Sequence, residues 1–408
     1  YTTTANFFDY DKDGWLDLYL GIQPFVTNPD KMYGLEQVID KSEFTDRLYH
    51  NNGDGTFTDV SFQSGIANYS YTLSATVSDL NNDGWLDIYV GNDFHEDDYF
   101  YLNNGDGTFR ESLRSYFGHT SRFSMGSDAA DINNDGRPDL ISLDMLPQEE
   151  APLKSSEGDD NIQTQRMRIG EYGYYYQFTR NMLYVNQPGG HFMETALMSG
   201  VAATDWSWSA LFADFDQDGY QDLFVSNGIP KRPNDLDFVK FVSNEQISNK
   251  ISNTKLVDQK ALEMMPSGNV HNYVFQGGES LNFTDRSEDW IRKDTLISGA
   301  TAWADLDRDG DLDLVINNLN RPASILVNRG TENHSLTLKL EFSGQNPYGI
   351  GSRVYAYRNG SVQMRELYAV RGFQASSEPL IHFGMGAETT VDSLKILWPD
   401  GTYQVVQD

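Results

Sequence analysis

Apolar residues recur along the chain in short β-type runs, each entered from an acidic loop. Leu18-Tyr19-Leu20, Ile88-Tyr89-Val90, Leu140-Ile141, Leu223-Phe224-Val225 and Leu314-Val315-Ile316 are five such runs. Their length and their β-branched and aromatic content predict buried strands. A second apolar element lies between them: Leu48-Tyr49 and Tyr101-Leu102, with weaker copies at Leu183-Tyr184-Val185 and Tyr273-Val274-Phe275. The first two run into Asn51-Asn52-Gly53-Asp54-Gly55 and Asn103-Asn104-Gly105-Asp106-Gly107. Asn-Gly and Asp-Gly tolerate positive φ and predict hairpins. Each unit thus holds an acidic loop, a buried strand, a hairpin and a further strand, and stacked sheets of this kind make a β-propeller. The 52-residue step between the second and third loops is near the length of one four-stranded blade.

Two stretches break the rhythm and read as insertions. Residues 147–180 carry a polar run and the cluster Tyr172, Tyr174, Tyr175 and Tyr176. Residues 230–267 show helical spacing at Phe238, Phe241 and Val242, and again at Leu256, Leu262 and Met265. Further on, Ser335–Phe342 alternates through Leu336, Leu338, Leu340 and Phe342, as in a half-buried strand. Arg353–Tyr357 and Leu394–Trp398 read alike, with a hairpin turn at Arg358-Asn359-Gly360-Ser361. The expected organisation is all-β: a propeller over 1–330, then a small β-sandwich over 331–408.

The loops follow one pattern. Position 1 is Asp9, Asp79, Asp131, Asp214 or Asp305, and position 3 is Asp11, Asn81, Asn133, Asp216 or Asp307. Position 5 is Asp13, Asp83, Asp135, Asp218 or Asp309, followed by Gly at position 6. Position 7, able to offer a carbonyl, is Trp15, Trp85, Arg137, Tyr220 or Asp311. Position 9 is Asp17, Asp87, Asp139, Asp222 or Asp313. Side-chain oxygens at positions 1, 3 and 5, a turn at Gly and a closing carboxylate make a hard oxygen shell suited to Ca²⁺. An EF-hand would need Glu at position 12 and a following helix. A strand follows instead, so these loops belong between strands. About five calcium ions are expected.

Charge sharpens this reading. The net charge is −30, with 60 acidic against 30 basic residues. Such a surface excludes nucleic acid, which needs basic stripes, and disfavours anionic membranes. Clustered carboxylates repel unless cations neutralise them. With no cysteine, disulfides, zinc–thiolate sites and thiol nucleophiles are excluded. No apolar run is long enough to span a bilayer and no signal peptide is visible. The chain opens inside a repeat, so an upstream precursor segment is expected.

Other chemistry is sparse. No histidine pair has zinc-hydrolase spacing, and there is no G-x-S-x-G elbow or phosphate loop. Glu96, Asp97 and Asp98 form the best carboxylate cluster outside the loops, to be weighed against solvated loop charges. Trp206 and Trp208 offer aromatic faces for sugars or proteins; ordinary blade core is the favoured reading of Trp208. Asn68, Asn282, Asn333 and Asn359 stand in N-x-S/T sequons.

The loops resemble FG-GAP/VCBS repeats, the calcium-loop blades also found in integrin α-subunit propellers. Gly349-Ile350-Gly351, Gly372-Phe373-Gln374-Ala375-Ser376, His382-Phe383-Gly384-Met385-Gly386 and Trp398-Pro399-Asp400-Gly401 resemble the ASPIC/UnbV domain. The combination is similar to the cartilage acidic protein family and its Bacteroidetes-type relatives. It implies a seven-bladed propeller, of which five loops are present here, and a small β-domain. The expected function is a calcium-stabilised, extracellular or cell-surface module that binds protein or glycan and is not an enzyme. The alternatives are a polysaccharide hydrolase or lyase, and a subunit that self-assembles into a filament or surface layer.

Overall fold

The computed structural model describes residues 1–23, 45–66, 68, 71–94, 96–244, 255–330 and 332–407. Its first four sheets are antiparallel meanders of four strands. Sheet 1 holds β1 (Thr2–Phe8), β2 (Asp17–Ile22), β3 (Arg47–Asn51) and β4 (Phe57–Asp59). Sheet 2 holds β5 (Tyr71–Ser78), β6 (Asp87–Asp93), β7 (Tyr99–Asn103) and β8 (Phe109–Glu111). After a short β9 (Thr120–Ser121), sheet 3 holds β10 (Ser127–Ala130), β11 (Asp139–Ser142), β13 (Met182–Gln187) and β14 (His191–Glu194), with β12 (Gln177–Phe178) pairing on β9. Sheet 4 holds β15 (Ser207–Ala213), β16 (Asp222–Asn227), β17 (Tyr273–Gln276) and β18 (Thr284–Asp285). Sheet 5 has three described strands, β19 (Ser298–Ala304), β20 (Asp313–Asn318) and β21 (Ser324–Leu326).

The sheets follow one another as blades. β1 packs on β5, β5 on β10, β10 on β15 and β15 on β19, so the first strand of each sheet meets the first strand of the next. The apolar cores lie between neighbouring sheets. Phe8, Tyr19 and Leu48 meet Val77, Ile88 and Tyr101 between sheets 1 and 2. Tyr89 and Phe100 meet Leu140 and Tyr184 between sheets 2 and 3. Ile141 and Leu183 meet Phe212 and Leu223 between sheets 3 and 4, and Phe224 and Val274 meet Trp303 and Leu314 between sheets 4 and 5. Both faces of a central strand are therefore buried, which explains the unbroken apolar runs in place of alternation.

Both expected insertions join the second strand of a blade to its third. The first carries helices at Glu150–Ser155 and Ile162–Gly170, the second at Leu236–Val242 and Lys255–Met264. They touch each other: Glu157 N–H donates to the Asn234 carbonyl at 2.7 Å, and Ser156 bridges Asp235. The second helix of the later insertion ends before Met265, which helical spacing had included.

The last strands form a separate core. β22 (His334–Leu338) pairs with β27 (Ile381–Gly386). A second sheet runs β24 (Ser361–Glu366), β23 (Arg353–Arg358), β28 (Ser393–Leu397), β29 (Tyr403–Gln407). Val354, Ile381, Phe383 and Ile396 pack between the two. β22 is shorter than the alternating pattern predicts: it ends at Leu338, although Leu340 is still buried. At the β23–β24 turn Asn359 and Gly360 take φ of 49° and 81°, the primed turn that Asn-Gly predicts. A small ribbon, β25 (Val370–Arg371) and β26 (Ala375–Ser376), leaves this core and lies against β15 and β19.

Candidate metal-binding loops

All five acidic loops join the first strand of a blade to its second. The turn is built the same way each time. Gly14, Gly84, Gly136, Gly219 and Gly310 take φ of 93°, 91°, 81°, 101° and 96°, and each N–H donates to the position-1 carboxylate at 2.8 to 3.2 Å. Position 4 is left-handed too: Lys12, Asn82, Asn134, Gln217 and Arg308 have φ between 56° and 65°. Two of these are Asn, which tolerates that region; the Lys, Gln and Arg do not announce it. The position-7 N–H donates to the position-5 carboxylate in every loop, as from Trp15 to Asp13 at 2.8 Å.

The position-9 aspartates are fully buried, and each ties three parts of its blade together. In four loops one oxygen accepts from the position-2 N–H, as Asp17 does from Tyr10 at 3.2 Å, and in the second loop Asp87 accepts instead from the position-3 N–H of Asn81; the other oxygen accepts from the end of the third strand. That second donor is Asn51, Asn103, Asn186, Gly277 or Asn328, at 2.8 or 2.9 Å. The closing aspartate is thus a strut as well as a candidate ligand.

Three loops bring carboxylates close together. Oxygens of Asp9, Asp11 and Asp13 lie within 4.8 Å of one another, as do those of Asp214, Asp216 and Asp218, and those of Asp305, Asp307 and Asp313. The buried Oδ1 atoms of Asp9, Asp214 and Asp311 accept no hydrogen bond. Burial pushes Asp9 up to about 6, Asp214 to about 7 and Asp17 to about 8, and neighbouring loop carboxylates push the same way. Orphaned buried oxygens in an all-oxygen donor set fit a hard divalent cation such as Ca²⁺.

The second and third loops differ. Asn81 and Asn133 use their amides on Asp83 and Asp135. A guanidinium from the last domain reaches the second loop: Arg353 lies 3.0 Å from Asp79 and 3.3 Å from Glu366. In the third loop, the Arg137 side chain pairs with Asp135. A protein cation therefore already stands beside each.

The last domain roofs these loops. Gly384 N–H donates to Asp214 at 3.1 Å and Ser335 Oγ to the Gly310 carbonyl at 2.6 Å. Its ribbon inserts beside the first strands: Arg371 pairs with the buried Asp128 at 3.0 Å, and Gly372 exchanges backbone hydrogen bonds with Ser127.

Other singled-out residues have structural duties. Asp98 is buried and accepts from Tyr89, Ser124 and the Asn92 N–H. Asp97 pairs with Arg114 and accepts from the Tyr175 N–H. These are blade supports. Trp206 is buried, so it presents no free face; Trp208 packs on Phe373 at 5.0 Å and donates to the Gly228 carbonyl. Tyr172 and Tyr176 are exposed. Asn68 is buried against Asp46, which closes that sequon to a glycan in the folded protein.

Family comparison agrees with this architecture. The FG-GAP-like repeat matches residues 9–90 and 79–142, and the ASPIC and UnbV domain matches residues 342–408. The chain thus carries matches to both an FG-GAP-like repeat and an ASPIC and UnbV domain, the pairing its motifs resemble. It is similar to Cartilage acidic protein 1 of Xenopus tropicalis, with 23% identity over 353 residues, 84% of this chain and 44% of that relative. It therefore spans less than half the length of that relative. Two solved structures are more distant. One is an Agrocybe aegerita lectin described for recognition of non-reducing terminal N-acetylglucosamine, with 14% identity, TM-score 0.29, and 80% of this chain and 81% of that chain covered. The other is the V. cholerae biofilm matrix protein Bap1, with 12% identity, TM-score 0.32, and 100% and 59% covered. Neither score bears on function.

Proposed function

We propose that the protein is a calcium-stabilised binding or structural module that works outside the cell. The supporting observation is the set of converging loop carboxylates, in which buried oxygens of Asp9 and Asp214 have no partner. The fourth and fifth loops take calcium most tightly; Arg353 and Arg137 weaken the second and third. On this reading residues 1–330 form the propeller and residues 331–408 a domain that docks on its loop face. An extracellular setting supplies calcium at the level such sites need, and one relative is named for cartilage. The partner is a protein or a glycan, and the chain performs no catalysis. The test is binding to extracellular proteins and glycans in calcium and in EGTA. Calcium-dependent capture without turnover is expected. Glycan cleavage lost on replacing one carboxylate outside the loops would overturn it.

A further inference from the structure

The first loop differs from the other four in one donor. His50, on β3, sits beside it with Nδ1 3.3 Å from an Asp11 oxygen and 3.4 Å from an Asp17 oxygen. That nitrogen is buried, yet it makes no hydrogen bond to either carboxylate. A protonated Nδ1, in the imidazolium or in the neutral Nδ1–H tautomer, would aim its N–H at one of them; an unprotonated Nδ1 would face two anions with its lone pair. A cation between them resolves both difficulties.

The rest of the loop converges on the same place. Ligand atoms of Asp11, Asp17 and His50 lie within 4.8 Å of one another, as do those of Asp9, Asp11 and Asp13, and Asp11 is common to both groups. Asp9 is only 5% exposed and its Oδ1 is unpartnered. The Tyr10 ring meets the His50 ring edge-on at 6.2 Å and limits its rotation. In the other blades the residue that corresponds to His50, one before the donor to the position-9 aspartate, is Leu102, Val185, Gln276 or Val327. No other loop is offered an imidazole from this position.

We propose that the first loop is a mixed nitrogen–oxygen site for a first-row transition dication of the Mn²⁺, Co²⁺ or Zn²⁺ class. This rests on the reading that the loops hold divalent ions and assigns one of them a different ion. Calcium prefers oxygen ligands and gains little from imidazole, whereas imidazole favours the transition ions. The other loops, lacking that nitrogen, stay with calcium.

The test uses the whole chain, stripped of metal, with His50→Leu as the variant, since Leu102 fills the corresponding place in blade 2. Mn²⁺ is added in the presence of saturating calcium and followed by pulsed electron paramagnetic resonance, and Co²⁺ affinity is measured by calorimetry. The wild type is expected to show ¹⁴N coupling to Mn²⁺. The variant is expected to lose that coupling and to bind Co²⁺ about tenfold or more weakly, while its fourth and fifth loops take calcium as before. Absent nitrogen coupling in the wild type, or equal Co²⁺ affinity in the two proteins, would overturn the mixed site and leave the calcium reading standing. A calcium titration without heat in either protein would overturn the calcium reading, and the nitrogen signal is read independently of it.

Discussion

The side-chain amide of Asn103 donates to the carbonyl oxygen of Tyr10 at 2.8 Å, joining the end of β7 in one blade to the acidic loop of the blade before it. The contact repeats. Asn186 donates to the Leu80 carbonyl at 2.7 Å and Asn328 to the Phe215 carbonyl at 2.8 Å. Each of these Asn residues also gives its backbone N–H to the position-9 aspartate of its own blade. One residue type therefore links loop, blade and neighbour. In blade 4 the corresponding place is Gly277, and no such amide exists there.

Asn186→Ala tests this link. Its amide is buried and serves both Leu80 and Pro138. Leaving those carbonyls unpaired should cost about 1–3 kcal/mol. Denaturant unfolding should show that loss, with a smaller loss at Asn52→Ala, whose amide is exposed and serves Thr56.

Much of the loop was legible because its chemistry is local. Asp at positions 1, 5 and 9 and Gly at position 6 are fixed by one turn, so spacing alone placed them between strands. The left-handed residue at position 4 was not legible where it is Lys12, Gln217 or Arg308, because the surrounding hydrogen bonds impose that conformation. The Asn links were hidden as well: Asn103 read as a hairpin residue, and its partner lies 93 residues away. Arg353 and Arg371 touch blades more than 240 residues back, which no periodicity reports.

Domain docking rests on a buried ion pair. Arg371→Met leaves Asp128 buried without its 3.0 Å partner and should destabilise the assembly by about 3–5 kcal/mol. Limited proteolysis should then cut between the last blade and residue 334 sooner than in the wild type. Equal protection would show that the ribbon does not hold the domains together.

Arg353→Met should strengthen calcium binding at the second loop, because the guanidinium 3.0 Å from Asp79 occupies the cation's place electrostatically. Calorimetry should show one tighter site than in the wild type. Unchanged isotherms would remove Arg353 as a competitor.

Stability without metal should fall as pH rises. Burial first, and neighbouring carboxylates after it, raise Asp9 to about 6 and Asp17 to about 8 in the folded chain. The unfolded values are lower, so the folded state holds more protons and is favoured at low pH. That advantage is lost between about pH 4 and pH 8. Calcium replaces those protons, so saturating calcium should flatten or invert the slope. Melting curves at several pH values, with calcium and with EGTA, check both signs.

Thermal unfolding of the whole chain in EGTA and in saturating calcium bears most directly on the claim that bound ions neutralise the loops. Each filled site should add about 2.7 kcal/mol when calcium is 100-fold above its Kd, so the melt should move sharply upward, and Asp214→Ala should reduce the gain. Superimposable melts in EGTA and calcium would contradict the account.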